Sequence, residues 1–364
     1  MKKPLLLVYL IGLFYLSACQ PIVTKTSYVE KDTPLKETAE PTSKSSLTPP
    51  PSPIPTHEPT NHPTLTPTAI PLGDRHVTLM AVGDIMLGRT IGDLIESDGS
   101  DAPFIFTAET LSSADITLGN LECSISNRGI AEEKTYTFRA PIAAGESLAG
   151  AGIDLVNLAN NHVLDYGPLA LEDTINILAS NQIQSVGAGL NATEAYAPIY
   201  IEIDGLRLAF LAFADIPSTD YDYHTWKADA NKPGIAWADE DEIRKGVQDA
   251  KQQADVVIVL VHNGYEIKQQ VVKTQQNIAH LAIDSGASLV IGSHPHVLQR
   301  IDEYQEGLIV YSMGNFVFDN FLFPPNYSAI LKVELSPNGV ESYELIDVII
   351  QLNGVPQIME YDLD

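Results

Sequence analysis

From Val77 onward, short apolar runs rich in β-branched residues alternate with longer stretches whose apolar positions recur every three or four residues. The first pattern suits strands and the second amphipathic helices. Strands are predicted over Val77–Ala81, Ile116–Leu118, Leu155–Leu158, Leu206–Phe213, Val256–Val261, Leu289–Ile291 and Leu308–Tyr311. Helices are predicted over Leu169–Ser180, Glu240–Gln253 and Val271–Ser285. Ile199–Phe213 holds two alternating runs around Asp204-Gly205, a dipeptide suited to the positive φ of a tight hairpin. After Tyr327 the alternation resumes in Ile330–Leu335 and Val340–Leu352 around Pro337-Asn338-Gly339, which predicts antiparallel strands closing the domain. Strands interleaved with helices make an α/β class.

The first 75 residues follow neither pattern. Met1-Lys2-Lys3 precedes the apolar run Leu5–Leu16, too short to span a bilayer comfortably and of signal-peptide length. It ends in Leu16-Ser17-Ala18-Cys19, which resembles the bacterial lipobox, in which the cysteine thiol receives diacylglycerol before cleavage. Residues 1–19 are thus expected to be a lipoprotein signal, and Cys19 the lipidated residue that anchors an extracytoplasmic protein to the membrane. Residues 21–75 carry 12 of the 24 prolines, mixed with Thr and Ser. Proline fixes φ and removes donors, so residues 20–75 are expected to form an extended stalk without a core. His57 and His62 fall in this tract and are read as solvated. The globular domain is expected over residues 76–364.

Charge narrows the partners. The formal net charge is −26, and 41 of the 47 acidic but only 14 of the 21 basic side chains lie in residues 76–364. Such a surface repels phosphate backbones, which argues against nucleic acid. An anionic polymer or a phosphorylated substrate needs local cations to offset the same field. With Cys19 assigned to export, Cys123 stands alone, and in an apolar strand context it reads as a small buried residue without a chemical role.

The polar residues that stand out come where the predicted strands end. Val77–Val82 leads into Gly83-Asp84, Ile116–Leu118 into Gly119-Asn120-Leu121-Glu122, and Leu155–Leu158 into Ala159-Asn160-Asn161-His162. Val256–Val261 leads into His262-Asn263-Gly264, and Leu289–Ile291 into Gly292-Ser293-His294-Pro295-His296. In open α/β sheets the C-terminal strand edge is where ligands bind. Asp84, Glu122, Asn161, His162, His262, His294 and His296 are therefore expected to converge. Carboxylate, amide oxygen and imidazole form a donor set suited to divalent Mn, Fe, Zn, Ni or Co, with no thiolate needed. His224 and His280 sit in predicted loop and helix and are read as structural.

These stretches, with Gly83-Asp84-Ile85-Met86-Leu87, Ala159–Gly167, His262-Asn263-Gly264-Tyr265-Glu266, Gly292–Gln299 and Tyr311-Ser312-Met313-Gly314-Asn315-Phe316, resemble the CapA family of capsule and poly-γ-glutamate synthesis proteins. The resemblance spans roughly residues 78–320. It implies a calcineurin-like metallophosphatase fold, a β-sandwich core flanked by helices with two divalent ions (Mn, Fe or Zn) at the strand C-terminal ends. Asp84 and His296 would hold one ion, and Asn161, His262 and His294 the other, with Glu122 bridging. His162 would be the general acid, and Asp165 either its orienting partner or a helix-start residue before Pro168. Arg139 would grip an anionic group or make a structural ion pair. Glu266 is a candidate partner of a ligating histidine. The wider phosphoesterases carry Asp-x-His in the first motif, and here the third position is Met86, a poor ligand for a hard ion. Asn263 stands where the family often has an aromatic residue, a change that bears on pocket shape. The implied functions are metal-dependent hydrolysis of a phosphoester, a non-catalytic role in a membrane-bound polyglutamate synthesis or export complex, or amide hydrolysis of polyglutamate or peptidoglycan.

Overall fold

Two mixed β-sheets share one hydrophobic core in the computed structural model, which describes residues 75–218, 221–319 and 323–360. The expected signal, Cys19 and the stalk up to residue 74 lie outside the described residues. The first sheet is centred on Val77–Ile85. On one side of it run Ile116–Leu121, Leu155–Asn157 and Gln184–Val186, all parallel. On the other side, Tyr327–Ser336, Gly339–Ile350 and Pro356–Ile358 form an antiparallel meander, and Asn315–Val317 pairs in parallel with the end of the central strand. The second sheet has four parallel strands in the order Gly307–Val310, Leu289–Ser293, Val256–Asn263 and Leu206–Asp215. Antiparallel hairpin partners, Ile301–Tyr304 and Ile199–Ile203, close its two edges.

Side-chain alternation decides what each face of the second sheet covers. Leu208, Phe210, Ile258, Leu260, Leu289, Ile291, Leu308 and Val310 join the core of the first sheet, with Leu79, Leu118 and Leu331. Their neighbours Ala209, Leu211, Val257, Val259, Val290 and Ile309 face the other way. There they meet Ile243, Val247 and Ala250 of the helix Glu240–Lys251 and Ala279, Ala282 and Ile283 of the helix Lys273–Asp284. The strands are near-continuous apolar runs because both faces are buried, as in parallel sheets generally. Burying each Val, Leu or Ile contributes about 1.5–3 kcal/mol.

The hairpin forms around Asp204 and Gly205, with φ of 48° and 77°. The closing antiparallel strands and the three predicted helices are also present, the helices within two residues of their predicted bounds. Two further helices, Arg89–Asp98 and Ala144–Gly150, lie outside the predicted elements. Arg89–Asp98 starts after Gly88 with no side-chain cap and buries only Ile91, Gly92 and Ile95. The first, second and fourth motif strands also extend beyond their apolar runs. Asp84, Asn120 and His262 belong to strands that continue to Ile85, Leu121 and Asn263, because paired neighbours satisfy their backbone there.

Candidate metal centre

The strand registers bring the polar residues side by side. In the first sheet Asp84 is the register partner of both Asn120 and Asn315, and Asn120 of Asn157. In the second, His262 is opposite Ser293. Glu122, Asn161, His294 and His296 follow one to four residues past the strands. Two glycines permit this crowding. A Cβ on Gly83 would stand 1.9 Å from the Gly314 carbonyl oxygen, and one on Gly292 2.0 Å from that of Tyr311. At the end of Leu289–Ser293 the backbone itself is strained: His294 and His296 have φ of 94° and 56°. Positive φ at such residues costs on the order of 1–3 kcal/mol each and is sustained only where the surroundings over-determine it.

Glu122 is the centre of the arrangement. It is fully buried, and neither carboxylate oxygen has a hydrogen-bond partner among the described residues. Its Oε1 lies 3.8 Å from His162 Nε2, 3.7 Å from His262 Nε2 and 3.9 Å from His296 Nε2. Burial, and then the charges of Asp84 and Glu266, push its carboxyl well above the usual carboxylate range. Asp84 Oδ1 accepts a 2.8 Å hydrogen bond from Asn120, and its Oδ2 is 3.0 Å from His296 Nδ1. That same Nδ1 is 2.9 Å from Asn315 Oδ1, an acceptor that places its proton there and leaves Nε2 facing Glu122. Burial lowers the His296 pKa, but the hydrogen bond and charge of Asp84 outweigh it and raise the net value. His262 Nε2 meets Asn161 Oδ1 at 2.8 Å, while Ser293 Oγ holds its Nδ1 at 3.0 Å. His294 is buried and its Nδ1 has no partner. Burial first, then the neighbouring imidazoles and Lys134, hold His262 and His294 well below the usual imidazole value, so both are neutral at pH 7.

Buried groups without partners cost stability unless something satisfies them. Here the orphaned atoms are carboxylate oxygens and an imidazole nitrogen, which are divalent-ion ligands. Donor atoms of Asp84, Glu122 and His296 lie within 4.8 Å of one another, as do those of Glu122, His262 and His294. The two groups share Glu122, with Asn161 beside the second. The residues present therefore fit a pair of ions with a glutamate between them. Three other residues take no part in the two donor groups. His280 stacks on Tyr304 at 3.8 Å and His224 packs edge-on to Trp237 at 5.0 Å, away from the centre. Cys123 is buried, and its thiol is pushed up to about 12 by burial, so it stays protonated and inert.

His162 flanks the pair. Its ring stacks on Phe138 at 4.1 Å, and its Nδ1 is 2.7 Å from Asp165 Oδ2. Asp165 does not cap the helix Pro168–Ser180, whose N-cap is Gly167. Its carboxylate accepts from the Phe138 amide and pairs at 2.6 Å with Lys134 Nζ, both side chains being buried. Lys134 also donates to the Asn161 carbonyl and lies 4.9 Å from the ring centroids of Tyr223 and Trp226. A cleft of about 390 Å³ opens over His162, Asn161 and His294, walled by Tyr136, Tyr223 and Tyr265. Glu266 lines it as well, with a carboxylate oxygen within 4.8 Å of His294 and His296 nitrogens. Arg139 is not brought there. Its guanidinium lies over Tyr166 at 4.2 Å and faces a separate depression shared with Arg89. Asn263 is buried and does not line the cleft.

Sequence reasoning missed two kinds of residue. An amide network, in which Asn157 and Asn160 both donate to Asn120 Oδ1, fixes the rotamer that lets Asn120 hold Asp84. The repeated asparagines in these motifs were the available signal. Lys134 had none, since it follows Glu132-Glu133 in a run that reads as a solvated loop.

Comparison with known proteins agrees with the motif pattern. The family of the bacterial capsule synthesis protein PGA_cap matches residues 78–320. The capsule biosynthesis protein CapA of Bacillus anthracis is 32% identical over 299 residues, 79% of this chain and 71% of that protein. The PGA biosynthesis protein CapA of Bacillus subtilis (strain 168) is 31% identical over 270 residues, 73% of this chain and 70% of that protein.

Proposed function

Since the chain belongs to the PGA_cap family of bacterial capsule synthesis proteins, we propose that it serves poly-γ-glutamate capsule synthesis or export as a metal-dependent hydrolase of phosphoester type. In this reading the two sheets form a calcineurin-like metallophosphatase fold, held outside the cytoplasmic membrane by a lipid on Cys19. The observation that carries the reading is Glu122, buried with two unpartnered oxygens and shared by two donor groups beside His162. Two divalent ions in such a centre supply Lewis acidity and a clamp for phosphoryl oxygens.

The chain's own residues supply the rest. His162, with its Nδ1 proton fixed on Asp165, presents Nε2 to the cleft side, where it can protonate a leaving oxygen. Asp165 keeps the tautomer, and Lys134 neutralises its other oxygen. Among the described residues the cleft lining contains no lysine or arginine, so an anionic substrate group must be held at the centre itself. Met86 favours a second reading, in which the same centre binds a polymer carboxylate without turnover, because a thioether replaces an expected ligand.

The purified full-length chain should contain two divalent ions by elemental analysis, and protein that takes up no Mn, Fe or Zn would end both readings. His162→Ala should lower turnover of an aryl phosphate by about 10²-fold or more at unchanged metal content; equal activity would select the non-catalytic reading. Cys19→Ala should move the chain from the membrane to the soluble fraction, and continued membrane association would remove the lipid anchor.

A further inference from the structure

We infer that Glu266 is a ligand of the ion shared by Asp84, Glu122 and His296, supplying the donor that Met86 does not. The inference rests on the metal-centre reading above and assigns one further residue to it.

In Asp84-Ile85-Met86 the third side chain is fully buried, and its sulfur accepts a 3.1 Å hydrogen bond from the Gly88 amide. It is turned to its own backbone. Side chains then give that ion Asp84, Glu122 and His296, and the first-motif position that Met86 occupies supplies none. An additional carboxylate, Glu266, follows the second-sheet strand Val256–Asn263. A Glu266 oxygen and the ring nitrogens of His294 and His296 lie within 4.8 Å of one another. His296 belongs both to this group and to that of Asp84 and Glu122, so the ion held on His296 is the one within reach of Glu266.

The loop that carries Glu266 is built to hold it there. Ile267, immediately after it, has φ of 60°, a strained value for a β-branched residue. Its amide donates at 2.8 Å to the carbonyl of Pro295, the residue between the two histidines. One residue further, the Lys268 carbonyl accepts at 2.8 Å from Gln299, whose side-chain oxygen accepts at 2.9 Å from Gln275. The loop and the His-Pro-His turn are thus one hydrogen-bonded unit. His294, the third member of that group, is itself buried with its Nδ1 unpartnered.

The test is metal content after equilibrium dialysis of the full chain against Mn or Zn, with thermal unfolding as the control for folding. Wild type should hold two ions per chain. Glu266→Ala should keep one and bind the other about tenfold more weakly or worse. Adding Met86→His to Glu266→Ala should restore the second ion, since it returns an imidazole to the first motif. In cobalt-loaded protein, Glu266→Ala should raise the visible absorption of the weakened site as its coordination number falls. If Glu266→Ala loses both ions or neither, the inference is overturned while the centre stands. A wild-type chain that binds no ion overturns the centre and the inference together.

Discussion

At the scale of single residues, the most consequential pair is Lys134 with Asp165, buried at 2.6 Å beneath the proton-carrying edge of His162. A buried ion pair adds little net stability, but removing one partner leaves the other uncompensated at a cost of about 3–5 kcal/mol. Lys134→Met should therefore destabilise strongly in urea unfolding, because it removes the cation paired with the buried Asp165 carboxylate. Lys134→Met with Asp165→Leu should cost less than the sum of the two single changes. Additive losses would show that the pair does not act as a unit. Turnover should fall in all three variants, since each disturbs the His162 tautomer. Asp165 was legible as a possible partner of His162 because the two are three apart in one motif. Lys134 was not, because its pairing runs across 31 residues and its neighbours are acidic.

At the scale of elements, what positions the site is where strands stop. Apolar runs disclosed the motif strands, because strands buried on both faces must be apolar throughout. Their ends were less legible: Asp84 and His262 lie inside strands, since a run of apolar letters ends where the core ends and backbone pairing continues. The Asn315–Val317 strand was invisible beforehand, being three residues whose partner is the far end of Val77–Ile85. Seven polar letters at strand ends still announced their convergence, because one sheet edge collects them whatever the loops do. The close approach at Gly292 gives this scale its test. A methyl there meets the Tyr311 carbonyl at 2.0 Å, and backbone on both sides cannot yield as a flexible side chain would. Gly292→Ala should push the Leu289–Ser293 strand away from Gly307–Val310 and swing His294 and His296 off the centre. The expected outcome is a loss of stability of about 2 kcal/mol or more together with weakened metal binding. A stable variant with full metal content would show that the strand ends are not what sets the ligand geometry.

At the scale of the whole molecule, the centre sets folding against function, and the acidity of the chain sharpens the conflict. A formal charge of −26 is carried with two buried carboxylates, Asp84 and Glu122, a few ångströms apart. Without ions, burial and the charges of Asp84 and Glu266 raise the Glu122 pKa. A carboxyl raised in the folded state contributes stability that is complete below its unfolded value, about 4.3, and is lost as pH rises through the folded one. His262 and His294 run the other way. Their folded values are depressed, so their contribution is present above about 6.5 and is lost as pH falls below it. At pH 7.5 the histidines are thus satisfied as neutral ligands, and Glu122 is the group that burdens the metal-free fold. An ion removes that burden by taking the ionised carboxylate, releasing any proton Glu122 holds, and stabilises by about 2.7 kcal/mol at a hundred times its dissociation constant. Glu122→Gln separates the two states, because an amide of the same shape mimics the protonated acid and cannot bridge ions as a charge. At pH 7.5 in chelator the variant should melt above wild type. With Mn or Zn added the order should reverse, since only wild type gains the ion's stabilisation. Calorimetric titrations in buffers of different ionisation enthalpy should show protons released by wild type on metal uptake, increasingly so as pH falls, and little release by Glu122→Gln. A variant that melts below wild type in chelator would mean that Glu122 is held ionised by partners within the fold, and the centre would then be a structural network with no need of an ion.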